Sequence, residues 1–246
     1  MSSNIESKVI LIAGASSGIG GATAMLLAQR GARLMLGARG QERLEALAAR
    51  ITQAGGACTT ARLDVSKRED VASIVALALE RYGQLDVLVN NTGIGPVSPL
   101  DDLRVEDWEA MVDINIKGLL YGIAASLPVF RAQGFGHFIN IASTAALHIV
   151  PNMAVYAATK AAMRVISKGL RQEAGPNLRV TVGSPGFVKT GFADSISAPE
   201  MKAQVQGAME KMAISPEAIA RATAFAIEQA RDVDVGEIVI RPTAQS

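Results

Sequence analysis

The feature that most constrains this chain is a rhythm of short apolar runs separated by longer helical patterns. Lys8-Val9-Ile10-Leu11-Ile12-Ala13 shows no polar alternation, and neither does Arg33-Leu34-Met35-Leu36-Gly37 beyond its first residue. A strand with one wet face alternates apolar and polar side chains. A strand apolar on both faces needs cover on both. Further strand-like runs lie at Thr59 to Asp64, Leu85 to Asn90, Gly136 to Ile141, Leu178 to Ser184 and Glu237 to Arg241. Helical patterns separate them: Gly18 to Arg30, Gln41 to Ala54, Lys67 to Tyr82, Val105 to Gln133 with breaks, Tyr156 to Glu173, and Pro216 to Gln229. This succession predicts an α/β chain, a single-domain doubly wound Rossmann fold with a parallel sheet of about seven strands and helices on both faces. The 246 residues suit one such domain. Within it, Gly191 to Met212 mixes Ser, Pro, Met and Gly without a firm period, and reads as a mobile lid over a substrate site.

Composition removes several function classes. With 24 basic and 23 acidic residues, the net charge of +1 offers no footprint for nucleic acid. Aromatic residues, at 4%, are too scarce for base-stacking platforms. Cys58 is the only cysteine, so neither an internal disulfide nor a CxxC metal pattern is available, and no metal site is expected. The opening residues are polar and lead straight into the first apolar run, unlike a signal peptide. The apolar stretch Gly118 to Phe130 is interrupted by Ser126 and Pro128 and is short for a bilayer. The expectation is a cytoplasmic protein with no membrane partner.

Two constellations carry chemistry. The first strand runs directly into Gly14-Ala15-Ser16-Ser17-Gly18-Ile19-Gly20 and then into a helix. Glycines permit the tight turn and let the main chain approach a pyrophosphate, while the helix N-terminus presents free N–H groups to that anion. The spacing is GxxxGxG rather than GxGxxG. Tyr156 and Lys160 form the second, at i and i+4 of a helix and therefore on one face. A nearby ammonium favours the phenolate, which predicts a lowered pKa for Tyr156 and a group fit for acid–base work. Ser143 follows a strand, where such a sheet presents its ligands, and its hydroxyl is placed to hold a substrate oxygen.

Together these motifs resemble the short-chain dehydrogenase/reductase family, in its compact form and over nearly the whole chain. The resemblance rests on AGASSGIG at 13–20, Asp64 in RLDV, Asn90-Asn91-Thr92-Gly93, Asn115 in DINIKG, Ser143, Tyr156 with Lys160, and Pro185-Gly186 through Thr190. It implies roles for each. Ser143 would orient the carbonyl, and Tyr156 would be the acid in reduction and the base in oxidation. Lys160 would tune Tyr156 and bond the nicotinamide ribose. Asn115 would hold a proton-relaying water. Asp64 and Val65 would meet the adenine, and Asn91 and Gly93 would line the adenosine ribose side. Val188 and Thr190, after Pro185 and Gly186, would touch the carboxamide and the pyrophosphate. Simpler readings stand beside two of these: Asn115 as a buckle in a long helix, and Asp64 or Ser66 as a helix cap. Two departures from the family pattern are mild. Ala13 stands where threonine is frequent. Thr92 replaces alanine, and its hydroxyl is expected to bond to backbone.

The second strand ends Leu36-Gly37-Ala38-Arg39, without the acid that NAD enzymes use to hold the ribose hydroxyls. An arginine fork suits a 2′-phosphate, and Ser16 and Ser17 add hydroxyls, so the expected cofactor is NADP(H). The substrate wall is drawn from Ala145, Leu147, His148, Val150, Met153, Phe187 and Phe192, with His148 a wall or surface residue rather than a catalytic one. This mostly apolar set predicts a small uncharged ketone or secondary alcohol. A 3-oxoacyl-carrier-protein reductase is the rival enzyme, and the ending EIVIRPTAQS lacks the Gly-Gly pair frequent there. A non-catalytic NADP(H) sensor or scaffold is the rival of another class. The resemblance also implies a homo-oligomer, a homotetramer paired through the helices near 105–133 and 156–173.

Overall fold

A computed structural model of the chain describes residues 4–196 and 198–245. Seven parallel strands form one sheet in the order β3-β2-β1-β4-β5-β6-β7: β1 Val9–Ala13, β2 Arg33–Ala38, β3 Ala57–Arg62, β4 Val87–Asn90, β5 Gly136–Ile141, β6 Leu178–Pro185 and β7 Glu237–Ile240. The helices are α1 Gly18–Gln29, α2 Gln41–Gln53, α3 Arg68–Tyr82, α4 Val105–Met111, α5 Gly118–Gln133, α6 Ala154–Ala174, α7 Pro199–Met212 and α8 Pro216–Glu228. β1 pairs with β2 on one side and β4 on the other, so the chain reverses its direction of winding between β1 and β4. That switch point opens a crevice at the carboxyl ends of the strands, where such sheets take their ligands.

The two-faced burial follows from the strand sequences. Successive side chains point to opposite faces of a sheet. Ile10, Ile12, Leu34, Leu36, Val87, Val89, Ile139 and Ile141 join the core on the side of α1, α2 and α8. Val9, Leu11, Met35, Leu88 and Phe138 join the opposite core, under α3, α5 and α6. Phe130 meets Phe138 edge-on at 4.8 Å between ring centroids, a geometry that adds ~1 kcal/mol beyond burial. Gly136 makes room for it, since a β-carbon there would lie 2.1 Å from the Phe130 ring.

Three predicted elements are modified. β3 sits two residues earlier than expected, which leaves Asp64 in the loop beyond it. The long helix is continuous over Val105–Gln133, but Val112–Lys117 forms a wider π turn between α4 and α5. By length and apolar composition this run could cross a membrane; its buried residues Leu119, Gly122, Ser126 and Phe130 instead face the sheet. The region read as a lid holds a 3₁₀ turn, Gly191–Ser195, followed by α7. Ser197, within that region, lies outside the described residues.

Candidate active site

The carboxyl ends of the strands bring most of the singled-out residues to one crevice. After β1, Gly14 has φ +83°, the left-handed region that glycine favours. A β-carbon at Gly20 would stand 2.1 Å from the Gly14 carbonyl oxygen and 2.6 Å from Asn91 Nδ2, so the turn closes too tightly for any side chain. Asn91 Nδ2 donates to that carbonyl at 2.9 Å and ties the loop after β4 to the turn. Ser17 occupies the cap position of α1 in extended conformation, yet its side chain makes no capping bond, and the first turn has no acidic residue. The first N–H groups of α1, beginning at Gly18 and Ile19, are thus left to an anion.

Thr92 departs from expectation. Its hydroxyl is buried with no hydrogen-bond partner, so the predicted bond to backbone is not made. It lies against Gly14, where an added β-carbon would meet it at 2.8 Å. Arg39 is the first residue past β2 and is exposed. Asp64 Oδ1 accepts from the Ser66 hydroxyl at 2.7 Å and the Ser66 N–H at 3.1 Å. Those bonds, helped by the positive charges of Arg39 and Lys67, hold its carboxyl below the ordinary range. Lys67, neither Asp64 nor Ser66, occupies the cap position of α3. Val65 is buried, packed against Gly118 at the start of α5.

Ser143 stands two residues past β5 and opens a 3₁₀ turn over Thr144–Ala146, its hydroxyl accepting from Ala145 N–H at 3.1 Å. Tyr156 and Lys160 project from the first turns of α6, and both are buried, at 8% and 4% exposure. The Ser143 hydroxyl is near enough to the Tyr156 phenol to favour its ionised form. Lys160 Nζ donates to the Ile141 carbonyl at 3.0 Å and lies 6.0 Å from the centroid of the Tyr156 ring. Burial lowers the Lys160 pKa to about 8. Burial also raises that of Tyr156, with the Ser143 hydroxyl opposing, which corrects the expected depression. The cause is desolvation. Lys160 is spent on a backbone carbonyl and is itself pushed toward neutrality, while the phenol sits among apolar groups.

Asn115 is fully buried in the π turn. Its Oδ1 accepts from Ile94 N–H at 2.9 Å, while Nδ2 donates to the Ile94 carbonyl at 2.9 Å and to Thr159 Oγ1 at 3.0 Å. The Thr159 hydroxyl donates to the Tyr156 carbonyl at 2.8 Å. Asn115 thereby joins the loop after β4 to the helix that carries Tyr156. Between them, a β-carbon at Gly93 would stand 2.9 Å from Lys160 Nζ and 3.3 Å from Asn115 Oδ1, so a side chain there would push the ammonium aside.

On the far side, β6 ends at Pro185, and Gly186 N–H donates to the Ile240 carbonyl at 2.8 Å. Val188 bridges to Ile214. Thr190 caps the 3₁₀ turn that follows, and its methyl lies beside the start of α1 at Gly18. Of the predicted wall, Ala145, Met153 and Phe192 cluster with Tyr156, joined by Ile94, Val97, Trp108, Met111 and Ile196. Phe192 lies over Tyr156 with ring centroids 5.4 Å apart and fills the space beside Gly95, where a β-carbon would be 2.4 Å from its ring. Leu147, His148 and Val150 do not join that cluster and are exposed, and the half-buried Phe187 lies outside it as well.

A profile of the short chain dehydrogenase family matches residues 8–201. This chain belongs to that family. An uncharacterized oxidoreductase of Staphylococcus saprophyticus is 44% identical over 246 residues, covering 99% of both chains. Another, from Listeria monocytogenes, is 46% identical over 244 residues, covering 98% of both. Among solved structures, an alcohol dehydrogenase of the archaeon Thermococcus sibiricus complexed with 5-hydroxy-NADP superposes with a TM-score of 0.88, at 34% identity, over 98% of this chain and 99% of that one. A short chain dehydrogenase/reductase of Burkholderia phymatum complexed with NAD superposes with a TM-score of 0.89, at 28% identity, over 96% and 89%. The chain is thus a short chain dehydrogenase of the oxidoreductase class, with relatives that take either nicotinamide. Sequence reasoning overlooked several of its site residues. Thr159 carried a signal, standing three residues after Tyr156 and so on its side of the helix. Gly95 and Trp108 carried none, because their places depend on segments packing across the crevice.

Proposed function

We propose that this short chain dehydrogenase moves a hydride between NADP(H) and a small uncharged ketone or secondary alcohol, with Tyr156 as general acid and base. One observation carries the reading: Tyr156 is buried in an apolar cluster with Ser143 and Lys160 beside it, in the same crevice as a glycine turn whose helix has an uncapped first turn. The residues present fit a dinucleotide. Gly14 and Gly20 keep the cradle open, Gly93 clears the space before Lys160, and Thr92 holds a buried hydroxyl without a partner. Arg39 would hold a 2′-phosphate with Ser16 and Ser17. Asp64, Val65, Asn91 and Gly93 would line the adenosine. Pro185, Gly186, Val188 and Thr190 would bound the nicotinamide side. Bound nicotinamide would supply the hydride. Tyr156 would deliver its proton to the carbonyl oxygen that Ser143 holds, converting C=O to CH–OH. A phenol whose pKa burial has raised stays protonated at neutral pH and is ready to act as the acid. Lys160 and Asn115 would return a proton from solvent.

The cluster around Tyr156 supports an uncharged substrate, since its members are Val97, Met111, Met153, Phe192 and similar side chains. Phe192 covers the phenol, so entry requires the 191–212 segment to lift, the lid motion read from the sequence. The exposed apolar residues Val112, Leu120 and Val165 on the helical face support a homo-oligomer. The test follows absorbance of the reduced nicotinamide with NADPH and NADH separately, against neutral ketones, keto esters, an acyl thioester and serine. Serine belongs in the panel because a serine dehydrogenase complexed with NADP+ is a structural neighbour at 31% identity and a TM-score of 0.88. Turnover with NADPH on neutral ketones is expected. Preference for NADH would overturn the Arg39 assignment, and preference for serine or another charged substrate the apolar pocket. Cofactor binding without turnover would favour the sensor.

A further inference from the structure

The segment after β7 turns back into the crevice. Thr243 and Ala244 are exposed, and Gln245 then folds inward, its N–H donating to the Pro242 carbonyl at 3.0 Å. Its side chain reaches two loops at once. Oε1 accepts from the Phe187 backbone N–H at 3.0 Å, and Nε2 donates to Thr144 Oγ1 at 3.2 Å. The orientation of the amide is fixed by chemistry: a backbone N–H only donates, so the oxygen must face Phe187. Gly186 leaves room for this approach, since a β-carbon there would lie 2.1 Å from Gln245 Oε1.

The two loops so joined hold different parts of the site. Thr144 is next to Ser143, at the start of the 3₁₀ turn that aims the Ser143 hydroxyl. Phe187 leads into Val188 and Thr190, and its carbonyl accepts from Ile214 N–H at 3.0 Å. The Phe187 peptide is therefore gripped by Gln245 on its N–H and by Ile214 on its carbonyl. No backbone ladder runs between the loops at this level, because β5 and β6 pair only as far as Ile141 and Gly183, with one further bond from Ala142 N–H to the Gly183 carbonyl.

We propose that Gln245 is a positioning residue, a carboxamide clamp that sets the separation between the Ser143 turn and the Gly186–Phe187 turn. The inference rests on the hydride-transfer reading, in which the first turn holds the substrate oxygen and the second borders the nicotinamide. The clamp touches neither. It acts by fixing the span between them, and a displacement on the order of 1 Å in such a span is enough to lower turnover. The separation governs the reacting geometry more than cofactor affinity, which rests on the distant glycine turn and Arg39.

Three forms of the full chain test this: wild type, Gln245→Met and Gln245→Glu. Methionine keeps the bulk and loses both hydrogen bonds. Glutamate keeps an acceptor for Phe187 N–H, and the Thr144 hydroxyl turns to donate to the carboxylate. With NADPH and the ketone that turns over best, kcat of Gln245→Met is expected to fall about tenfold. Its NADPH Kd, read by cofactor fluorescence, stays within about twofold, and Gln245→Glu retains most of the wild-type kcat. Exchange of the Phe187 amide hydrogen, followed by NMR, is expected to quicken about tenfold in Gln245→Met and little in Gln245→Glu. Wild-type kcat in Gln245→Met, equal losses in both variants, or a matching loss of NADPH affinity would each overturn the clamp. Should wild type turn over no carbonyl, the hydride-transfer reading fails by itself, and the Phe187 exchange rate still decides the clamp: unchanged exchange overturns it.

Discussion

The two ends of the same sheet use buried polar groups in opposite ways. At the amino ends of the strands, polar side chains mostly satisfy one another and the backbone. Asp86 accepts from Val9 N–H at 2.8 Å and from Gln84 at 2.7 Å. His137 shares a hydrogen bond with Thr181 at 2.8 Å through Nε2, while its Nδ1 is the exception at this end, buried without a partner. Arg179 reaches the carbonyls of Ala226, Ile227, Gln229 and Val233, closing the end of α8 with a cation where the helix dipole is negative. At the carboxyl ends Asn115 and Lys160 keep internal bonds, but other groups are left facing the crevice. Thr92 has an unpaired hydroxyl, α1 an uncapped first turn, and Lys160 a buried ammonium whose pKa has fallen to about 8. One end spends its polarity on the fold, and the other keeps it for something that arrives.

The comparison can be broken from either end. The largest effect is expected from Tyr156→Phe, which removes the acid and leaves the cradle. Turnover should fall by ~10³-fold while NADPH affinity and the thermal midpoint change little. A parallel loss of binding, measured by fluorescence titration, would mean the phenol is a structural member of its cluster. Next is Arg179→Met at the opposite end. Four carbonyls lose a charged donor, and the fold should weaken by ~2–3 kcal/mol, or roughly 4–10 °C in thermal midpoint, with kcat per folded molecule unchanged. A fall in kcat without a fall in stability would join the two ends and dissolve the distinction.

A smaller effect belongs to His137. Burial first, then the positive charges of Arg179 and Lys8, hold its pKa well below 6.5. The folded form therefore resists a proton that the unfolded chain accepts. The stability this imidazole confers is whole above about pH 6.5 and drains away as the pH falls toward the folded pKa, by at most ~1.4 kcal/mol per pH unit. Denaturant unfolding at stepped pH should show that slope, and His137→Gln should flatten it. An unchanged slope would place the acid sensitivity elsewhere. The smallest effect sharpens the contrast most. Thr92→Val keeps the shape and deletes the orphan hydroxyl. The cofactor-free fold should gain ~1 kcal/mol while NADPH binding weakens about three- to tenfold. A hydroxyl that served only the fold would give the opposite sign for stability.

Much of this was legible in the residues. Ile10, Ile12, Val9 and Leu11 announce a strand buried on both faces because neither face alternates, and the sheet order follows from the helices between. Gly14 and Gly20 are readable because a pyrophosphate turn needs them at that spacing, and Tyr156 and Lys160 because i and i+4 share a face. The failures are failures of environment. The pKa of Tyr156 depends on what packs over it, which Phe192 and Val97 supply from remote segments. Leu147 and Val150 look like wall residues by proximity to Ser143, yet their exposure depends on the path of a short loop. Gln245 lies 101 residues from Thr144, and no local pattern encodes that meeting.

The π turn at Val112–Lys117 has a further consequence. A wider turn holds one residue more than α-helical winding would, and each residue of an α-helix advances the face by about 100°. The turn therefore absorbs a residue that regular winding would have shown as a rotation of the face, and Gly118, Gly122, Ser126 and Phe130 keep their phase toward the sheet. Deleting a single residue here would restore a regular spiral and look, on paper, like a repair. The downstream stripe would stay in step, but Asn115 would lose its place against Ile94, so the irregular turn serves that pair of hydrogen bonds and not the packing of α5.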